Sequence, residues 1–498
     1  MSNTLMSRRF FLGGAASFGA FAGCRFFACH DFRAGGTPNL KFGVVSDVHV
    51  WAFAGDKNCA ANCSVLKHTL EWFRDQGADA VMIVGDMADF GLTDELQAIA
   101  DTWNAVFPDG RAPDGRPVEK LFVYGNHDWE GFAYADFAKK HFPDEAERNR
   151  HILRKDYAKN WERIFGEAYA PIYRKEVNGY TFIGQHWDQQ GWGGNCRFER
   201  IAPFLSEHGP AIDPDRPFFY FQHPHPKDTC YGSWAWGHDT GIVTKTLSAF
   251  PNAIAFSGHS HYSLTDERSI WQGAFTSIGT SSLRYTGMPY NSRMPLGYEN
   301  SNTDGAKAAE LDATKVMGHI STNSQQGMLL SVYDDCIVIR RREFGCDLDL
   351  GEDWVMPMPA AEPKPFAFAE RARKAAAPQF PAGAKITVVR KKAKTRKTKG
   401  REAVEKDALL LTFPAALANR NARPFEYEVA AVPEAGAKAV FRVLAKGFNH
   451  GRTHQDAQGD SSCLIPTDRL PAGTVRFEVT PLDCWWNRGT SLACAYRA

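Results

Sequence analysis

Short apolar runs recur along the first half of the chain, and each is followed at once by polar residues, often with a glycine among them. Runs of this length and composition are typical of strands that are buried on both faces of a sheet. They predict strands at 40–46, 80–84, 120–124, 181–184, 217–222 and 253–257. Further apolar runs at 270–284 and 327–344 predict the strands that close the fold.

Between the first three strands, apolar residues recur with the spacing of an amphipathic helix. We predict that the first helix, with its apolar stripe at 65–73, begins at Asn62 or Ser64. The second helix, with its stripe at 96–107, should begin at Thr93, which is a favoured capping residue. Strands that alternate with helices predict an α/β domain with its ligands at one edge of the sheet.

The pattern changes in the last third of the chain. Residues 357–383 are rich in proline and alanine, which predicts a linker after a first domain at 38–356. Residues 384–498 alternate apolar and polar positions between turn signals, which predicts a β-sandwich of the fibronectin type III kind. The basic run at 390–401 is interpreted as an exposed hairpin tip in preference to a nucleic-acid arm.

The length of the chain predicts two or three domains, and its N-terminal segment predicts export. The formal net charge of the 498 residues is +1, so no global field attracts nucleic acid, and no specific nucleic-acid binding is expected. Arg8 and Arg9 precede a short apolar run, which predicts a twin-arginine export signal and tether at 1–37. Cys24 ends a candidate lipobox, so the protein is expected in the periplasm or cell envelope, either membrane-anchored through a lipidated Cys24 or released after cleavage of a simple signal.

Metal-binding residue types stand where the predicted strands end. They are Asp47, His49, Asp86, Asn126, His223, His259 and His261. Carboxylates, imidazoles and an amide carbonyl suit divalent Mn, Fe or Zn, and so many donors exceed the needs of one catalytic ion. The set therefore predicts two ions bridged by a carboxylate, for which Asp86 is the natural candidate. His225 is a rival to His223, but His223 follows the strand directly.

The motifs Asp47-x-His49, Gly85-Asp86-x-x-Asp89, Gly125-Asn126-His127-Asp128 and Gly258-His259-x-His261, together with His223, resemble those of calcineurin-like metallophosphoesterases. The resemblance implies an αββα sandwich with a dinuclear metal site. It implies that one ion binds Asp47, His49, Asp86 and His261, and that the other binds Asp86, Asn126, His223 and His259. It further implies that His127 assists the leaving group, that Asp128 orients His127, and that Asp89 supports the ligands from behind.

The function expected from these residues is hydrolysis of small phosphomonoesters or phosphodiesters. Two alternatives stay open: a nucleotidase or pyrophosphatase, and a surface binding protein that keeps the fold without catalysis. Two loops that contain Trp187, Trp192, Trp234 and Trp236 are candidates for a stacking wall above the metals, with ordinary loop packing as the alternative. The sequence names no partner for the C-terminal domain.

Overall fold

The first sheet of the computed structural model contains strands from the beginning and from the end of the predicted first domain. Its strands, numbered here and below in chain order, are β1 (Leu40–Val45), β2 (Ala80–Val84), β3 (Glu119–Val123), β10 (Gln326–Val332), β11 (Cys336–Glu343), β12 (Leu348–Asp349) and β13 (Trp354–Pro357). Their order is β12-β11-β10-β1-β2-β3, with β13 also beside β11. Strands β1, β2 and β3 are parallel, and β10 runs antiparallel to β1.

The second sheet has six strands in the order β4-β5-β6-β7-β9-β8. They are β4 (Ile172–Val177), β5 (Tyr180–Gln185), β6 (Phe218–Gln222), β7 (Ala253–Ser257), β8 (Ile270–Gln272) and β9 (Thr276–Gly279). Strands β5, β6, β7 and β9 are parallel, and β4 and β8 are antiparallel edge strands. The carboxyl ends of the parallel strands in each sheet therefore meet at one edge.

The structure describes residues 36–51, 57–130, 139–188, 198–231, 239–287, 324–360, 362–395, 402–417, 423–445 and 459–497. The predicted export signal, with Arg8, Arg9 and Cys24, lies outside these ranges. Residues 37–498 form one compact unit. Among the described residues, no helix is both long and apolar enough to cross a membrane.

Alternate residues of each central strand enter two different cores. In β2, Met82 packs between the two sheets, whereas Val81 and Ile83 pack against the helices outside. In β6, Phe219 enters the core between the sheets and Tyr220 faces the outer layer. This two-sided burial explains why the strands are apolar throughout, and it confirms the predicted αββα sandwich.

Helices cover the outer faces of the sheets. They are α1 (Lys57–Asp75), α2 (Thr93–Val106), α3 (Asn126–Glu130), α4 (Glu145–His151), α5 (Tyr157–Phe165), α6 (Ile201–His208) and α7 (Ile242–Leu247). The predicted start of α1 was wrong, because the helix begins at Lys57 and Asn62 is buried within it. Ala60 and Ala61 favour the additional turn before Asn62, since alanine is the strongest helix former.

The C-terminal region is a β-sandwich, as predicted. One sheet contains β14 (Thr387–Lys394), β15 (Glu405–Phe413) and β18 (Ser461–Pro466); the other contains β16 (Pro424–Pro433), β17 (Ala439–Leu444), β19 (Thr474–Asp483) and β20 (Leu492–Ala495). Leu411 and Ile465 from the first sheet share one core with Val429 and Val479 from the second. This shared core makes the two sheets a sandwich.

The segment that joins the two domains is more ordered than a flexible linker. It contains helix α8 (Phe368–Lys374), and the Arg371 guanidinium donates to the Glu267 carbonyl of the first domain. Arg423 of the β-sandwich contacts the Glu267 carboxylate at 3.1 Å, and Arg268 lies over the Phe425 ring at 4.8 Å. These contacts hold the C-terminal domain against the loop after β7.

Candidate metal centre at the strand ends

The residues predicted as metal ligands lie together at the carboxyl ends of five strands. Asp47 and His49 follow β1, Asp86 follows β2, Asn126 follows β3, His223 follows β6, and His259 and His261 follow β7. All except His259 are buried, and Asp47 and His223 are completely inaccessible to solvent. The carboxyl-terminal edge of the sheets therefore holds a cluster of buried polar side chains that strand pairing does not need.

One group of donors gathers around Asp47. His261 Nε2 lies 3.0 Å from Asp47 Oδ1 and 3.1 Å from His49 Nε2. His49 Nε2 also lies 3.8 Å from an oxygen of Asp47 and 3.8 Å from one of Asp86. The ligand atoms of Asp47, His49 and His261 all lie within 4.8 Å of one another, which a single ion could bridge.

A second group gathers on the other side of Asp86. His223 Nε2 lies 3.1 Å from Asp86 Oδ2, and His259 Nδ1 lies 2.8 Å from Asn126 Oδ1. The donor atoms of Asp86, His223 and His259 lie within 4.8 Å of one another. Asp86 therefore stands between the two groups, as a bridging carboxylate would.

The backbone at these residues adopts a conformation that few side chains tolerate. Five residues have positive φ angles: Asp47 (52°), His49 (47°), Asp86 (49°), His259 (68°) and His261 (55°). Each non-glycine residue held in this region costs on the order of 1–3 kcal/mol and persists only where its surroundings enforce it. The hydrogen bonds between neighbouring strand ends, such as those from the N–H of His49 to the carbonyl of Asp86, supply that enforcement.

Two glycines make room for the donors. A Cβ on Gly85, whose φ is +85°, would collide with the His223 ring. A Cβ on Gly125 would collide with the carboxylate of Asp86. The glycines before Asp86 and Asn126 are therefore needed for close approach of side chains from neighbouring strands.

The charges of the site favour cations. Burial opposes charge on all these groups, yet the facing carboxylates raise the pKa of His49 to about 10 and that of His223 to about 9. Burial likewise opposes the ionised form of Asp47 and Asp86, but the surrounding imidazoles lower the pKa of both. A site that draws protons onto its histidines is one in which positive charge between the donors is strongly stabilised.

One buried atom tests whether a metal fits. His223 Nδ1 is fixed by the carbonyl of Val84 at 2.7 Å, so its Nε2 is the atom that faces the site. That Nε2 is buried, and although Asp86 Oδ2 lies 3.1 Å away, it makes no well-aligned hydrogen bond with any described residue. An imidazole nitrogen that is held from behind and aimed at two carboxylates is the arrangement of a metal ligand, so the donor set fits divalent ions.

The sequence model of the calcineurin-like phosphoesterase family matches residues 40–263, which include every one of these donors. Residues 40–263 form a calcineurin-like phosphoesterase domain. The predicted class, a metal-dependent phosphoester hydrolase, is thereby confirmed. A comparison with curated protein sequences finds no match.

Solved structures similar to this chain include three with described metals or activities. A dimetal phosphatase from Danio rerio is 12% identical, with a TM-score of 0.36, over 64% of this chain and 98% of its own. A purple acid phosphatase from yellow lupin seeds is 13% identical, with a TM-score of 0.35, over 64% of this chain and 55% of its own. A Vps29 complexed with zinc from Entamoeba histolytica is 10% identical, with a TM-score of 0.25, over 64% of this chain and 99% of its own. At these values the likenesses carry no argument about function.

Within the phosphoesterase domain, Asp89 supports the ligands as expected. Its Oδ1 lies 2.9 Å from His49 Nδ1, opposite the nitrogen that faces the metal centre. A carboxylate in this place fixes the orientation of an imidazole ligand and increases its basicity. His127 lies beside both, with its ring 4.5 Å from that of His49.

The role predicted for Asp128 was wrong. His127 Nδ1 is held by the backbone carbonyl of Asp89 at 2.8 Å, and not by Asp128. The Asp128 carboxylate is fully buried and accepts from the N–H groups of Gly125 and Ala88, both at 2.7 Å. Successive residues of a helix point about 100° apart, so Asp128 turns back toward the start of α3 and away from the ring of its neighbour.

Two histidines two positions apart have different environments. His223 faces Asp86, whereas His225 lies between the hydroxyls of Ser260 at 2.8 Å and Ser257 at 2.7 Å. Burial without a close carboxylate lowers the pKa of His225 to about 3. The structure thus brings His223 into the cluster and leaves His225 outside it.

Hydroxyl groups behind Asp47 escaped the sequence analysis. Ser46 Oγ donates to Asp47 Oδ2 at 2.5 Å, and Thr280 Oγ1 donates to Ser46 Oγ at 2.7 Å. Ser282 Oγ donates to the Asp47 carbonyl at 3.1 Å. Thr280 and Ser282 follow β9, a strand whose end carries no recognisable motif, so only the parallel pairing of β9 with β7 could have indicated them.

The expected stacking wall is contradicted for Trp187. Its side chain is fully buried, with ring centroids 6.1 Å from His223 and 5.9 Å from His259. Trp187 therefore packs against the ligand imidazoles and has no surface open to solvent. Trp192, Trp234 and Trp236 lie outside the described residues.

Proposed function

We propose that this protein hydrolyses phosphomonoesters or phosphodiesters at a dinuclear centre of divalent Mn, Fe or Zn. The observation that carries the proposal is the convergence of two donor groups on Asp86, each with ligand atoms within 4.8 Å of one another. The first ion would be held by Asp47, His49, Asp86 and His261, and the second by Asp86, Asn126, His223 and His259. When bound, such ions offset the charge of phosphoryl oxygens and lower the pKa of water.

The residues of the chain supply orientation and proton transfer. Asp89 orients His49, and the carbonyl of Val84 orients His223, so both rings are preorganised before substrate binds. His127 is partly exposed at the rim, and its Nδ1 is fixed on the Asp89 carbonyl. Its other ring nitrogen is then the atom that can contact the leaving oxygen of the ester.

The test is turnover of chromogenic phosphoesters by the full chain. Protein stripped with a chelator should be inactive, and addition of Mn²⁺ should restore hydrolysis of a nitrophenyl phosphomonoester or phosphodiester. Nucleotides and pyrophosphate belong in the same panel, because they test the nucleotidase alternative. Metal uptake without turnover of any ester would favour the binding-protein alternative.

We also propose that the protein is exported through its twin-arginine segment and anchored by a lipid on Cys24. The paired arginines before an apolar run support the first step, and the cysteine after Ala22-Gly23 supports the second. Replacing Arg8 and Arg9 together by lysine should keep the protein in the cytoplasm. Labelling with a radioactive fatty acid should mark the wild-type chain and not a Cys24→Ala variant; normal export or equal labelling would contradict the respective step.

A further inference from the structure

The segment after β9 passes directly along the metal centre. Leu283 N–H donates to the carbonyl of Ser46 at 3.0 Å, and Ser282 Oγ donates to the carbonyl of Asp47 at 3.1 Å. Two residues later, the ring of Tyr285 stacks on His261 with centroids 4.1 Å apart. Residues 282–285 are therefore fixed against ligands that follow both β1 and β7.

Arg284 stands in the middle of this segment. Its own N–H donates to Ser282 Oγ at 2.9 Å, and the carbonyl of Tyr285 lies 3.1 Å from His261 Nδ1. The backbone of Arg284 is thus held on both sides by residues that touch metal ligands. Arg284 is thereby held beside the metal ligands without being one of them.

Arg284 is half-buried, yet its guanidinium makes no hydrogen bond or ion pair with any residue that the structure describes. Two arginines near the β-sandwich differ, because each has a carboxylate partner: Arg268 contacts Asp266 at 2.8 Å, and Arg423 contacts Glu267 at 3.1 Å. A guanidinium has five N–H donors that water or a ligand must satisfy. The donors of Arg284 are left for something that enters from outside.

The positive charge of Arg284 also acts on the centre. Burial raises the pKa of Asp89, but the hydrogen bond and charge of His49, with the charges of His127 and Arg284, lower it overall. Arg284 therefore belongs to the same electrostatic field as the residues around His127.

We propose that Arg284 binds two oxygens of the phosphoryl group and selects phosphomonoesters over phosphodiesters. The inference rests on the proposed function and refines its substrate class. A phosphomonoester has a second pKa of about 6 and carries nearly two negative charges at neutral pH. Arginine binds such a group through two parallel hydrogen bonds, whereas a diester has one negative charge and one more esterified oxygen.

The decisive variant is Arg284→Gln, assayed with 4-nitrophenyl phosphate and bis(4-nitrophenyl) phosphate. Hydrogen bonds to charged groups contribute about 1.5–3 kcal/mol, so kcat/KM for the monoester should fall about 10- to 100-fold. The diester should lose less than about threefold, because it has one negative charge instead of nearly two and one non-bridging oxygen fewer for the guanidinium to bind. Metal content, measured alongside, should equal that of the wild type.

A second readout is independent of turnover. Orthophosphate, titrated into the metal-loaded protein in a calorimeter, should bind about 10- to 100-fold more weakly to Arg284→Gln than to the wild type. Arg284→Lys should recover part of the affinity, since lysine keeps the charge but not the paired donors. Arg150→Gln, on the exposed face of α4, is the matched control and should change neither readout.

Equal losses on both esters, or unchanged phosphate affinity, would overturn the inference and leave Arg284 as a solvated side chain. Failure of the wild-type protein to hydrolyse either ester would instead reject the proposed function. In that case the phosphate titration alone decides the role of Arg284, because it needs no turnover.

Discussion

Buried carboxylates occur in two regions of this molecule, and their partners differ. In the β-sandwich, Glu426 is fully buried and forms an ion pair with Arg442, while Glu428 contacts Arg488 at 2.9 Å. At the strand ends of the phosphoesterase domain, Asp47 and Asp86 are equally buried. Among the described residues, Asp47 and Asp86 form ion pairs with histidines only.

The difference separates a structural charge from a binding site. An arginine is a permanent cation, so a carboxylate paired with it is already neutralised and needs nothing more. An imidazole becomes a cation only by taking a proton, and it is also a metal ligand when neutral. Carboxylates that converge with imidazoles, without a permanent cation, therefore mark the place where the protein can accept metal ions.

The largest effect should come from removing the carboxylate between the two donor groups. Asp86→Asn should lose at least one bound ion and reduce hydrolysis by more than about 100-fold, the upper range for residues that merely support a ligand. Metal analysis and turnover of a nitrophenyl phosphoester measure both. Glu428→Gln, the matched carboxylate of the β-sandwich, should keep both properties; full activity with two ions in Asp86→Asn would reject the bridging role.

His127 should matter for the chemistry and not for metal binding. His127→Ala should keep both ions and lose about 10²–10⁴-fold in rate on alkyl phosphoesters, which need help for a poor leaving group. The loss should be much smaller on nitrophenyl esters, because nitrophenolate departs without protonation. Equal losses on both would mean that His127 binds phosphate and does not assist the leaving oxygen.

Asp89 should show an intermediate effect, because it acts through His49. Asp89→Asn should weaken metal affinity by about 10- to 100-fold, as seen for carboxylates that hold a histidine ligand. Titration of the chelator-treated protein with Mn²⁺ measures the change, and excess metal should restore most of the turnover. An unchanged affinity would show that the 2.9 Å contact with His49 adds nothing to binding.

The smallest effect on turnover should come from the β-sandwich pair. Arg442→Met removes a cation that pairs with the buried Glu426 and should lower the free energy of unfolding by about 3–5 kcal/mol. Urea denaturation measures that loss, and turnover per folded molecule should stay at the wild-type value. A variant that keeps its stability but loses metals would contradict the distinction between the two regions.

The sequence predicted best the positions of the central strands, because a strand that is buried on both faces must be apolar throughout. Strand β2 occupies the predicted residues because both faces of Ala80–Val84 are covered. Asp128 was misjudged because adjacency in sequence is not adjacency in a helix. Arg284 was missed because its position depends on the path of the chain after β9, where no motif marks the residues that approach the metal centre.

The central claim is that the donors around Asp86 bind two ions that together make the protein a phosphoester hydrolase. The most direct measurement is to remove the metal with a chelator, add Mn²⁺ in known equivalents, and record bound metal and hydrolysis of 4-nitrophenyl phosphate and its bis ester in the same samples. The account predicts saturation at two ions per chain, with turnover of at least one ester that rises to its maximum as the second ion binds. Full turnover in metal-free protein, or saturation at a single ion, would contradict it.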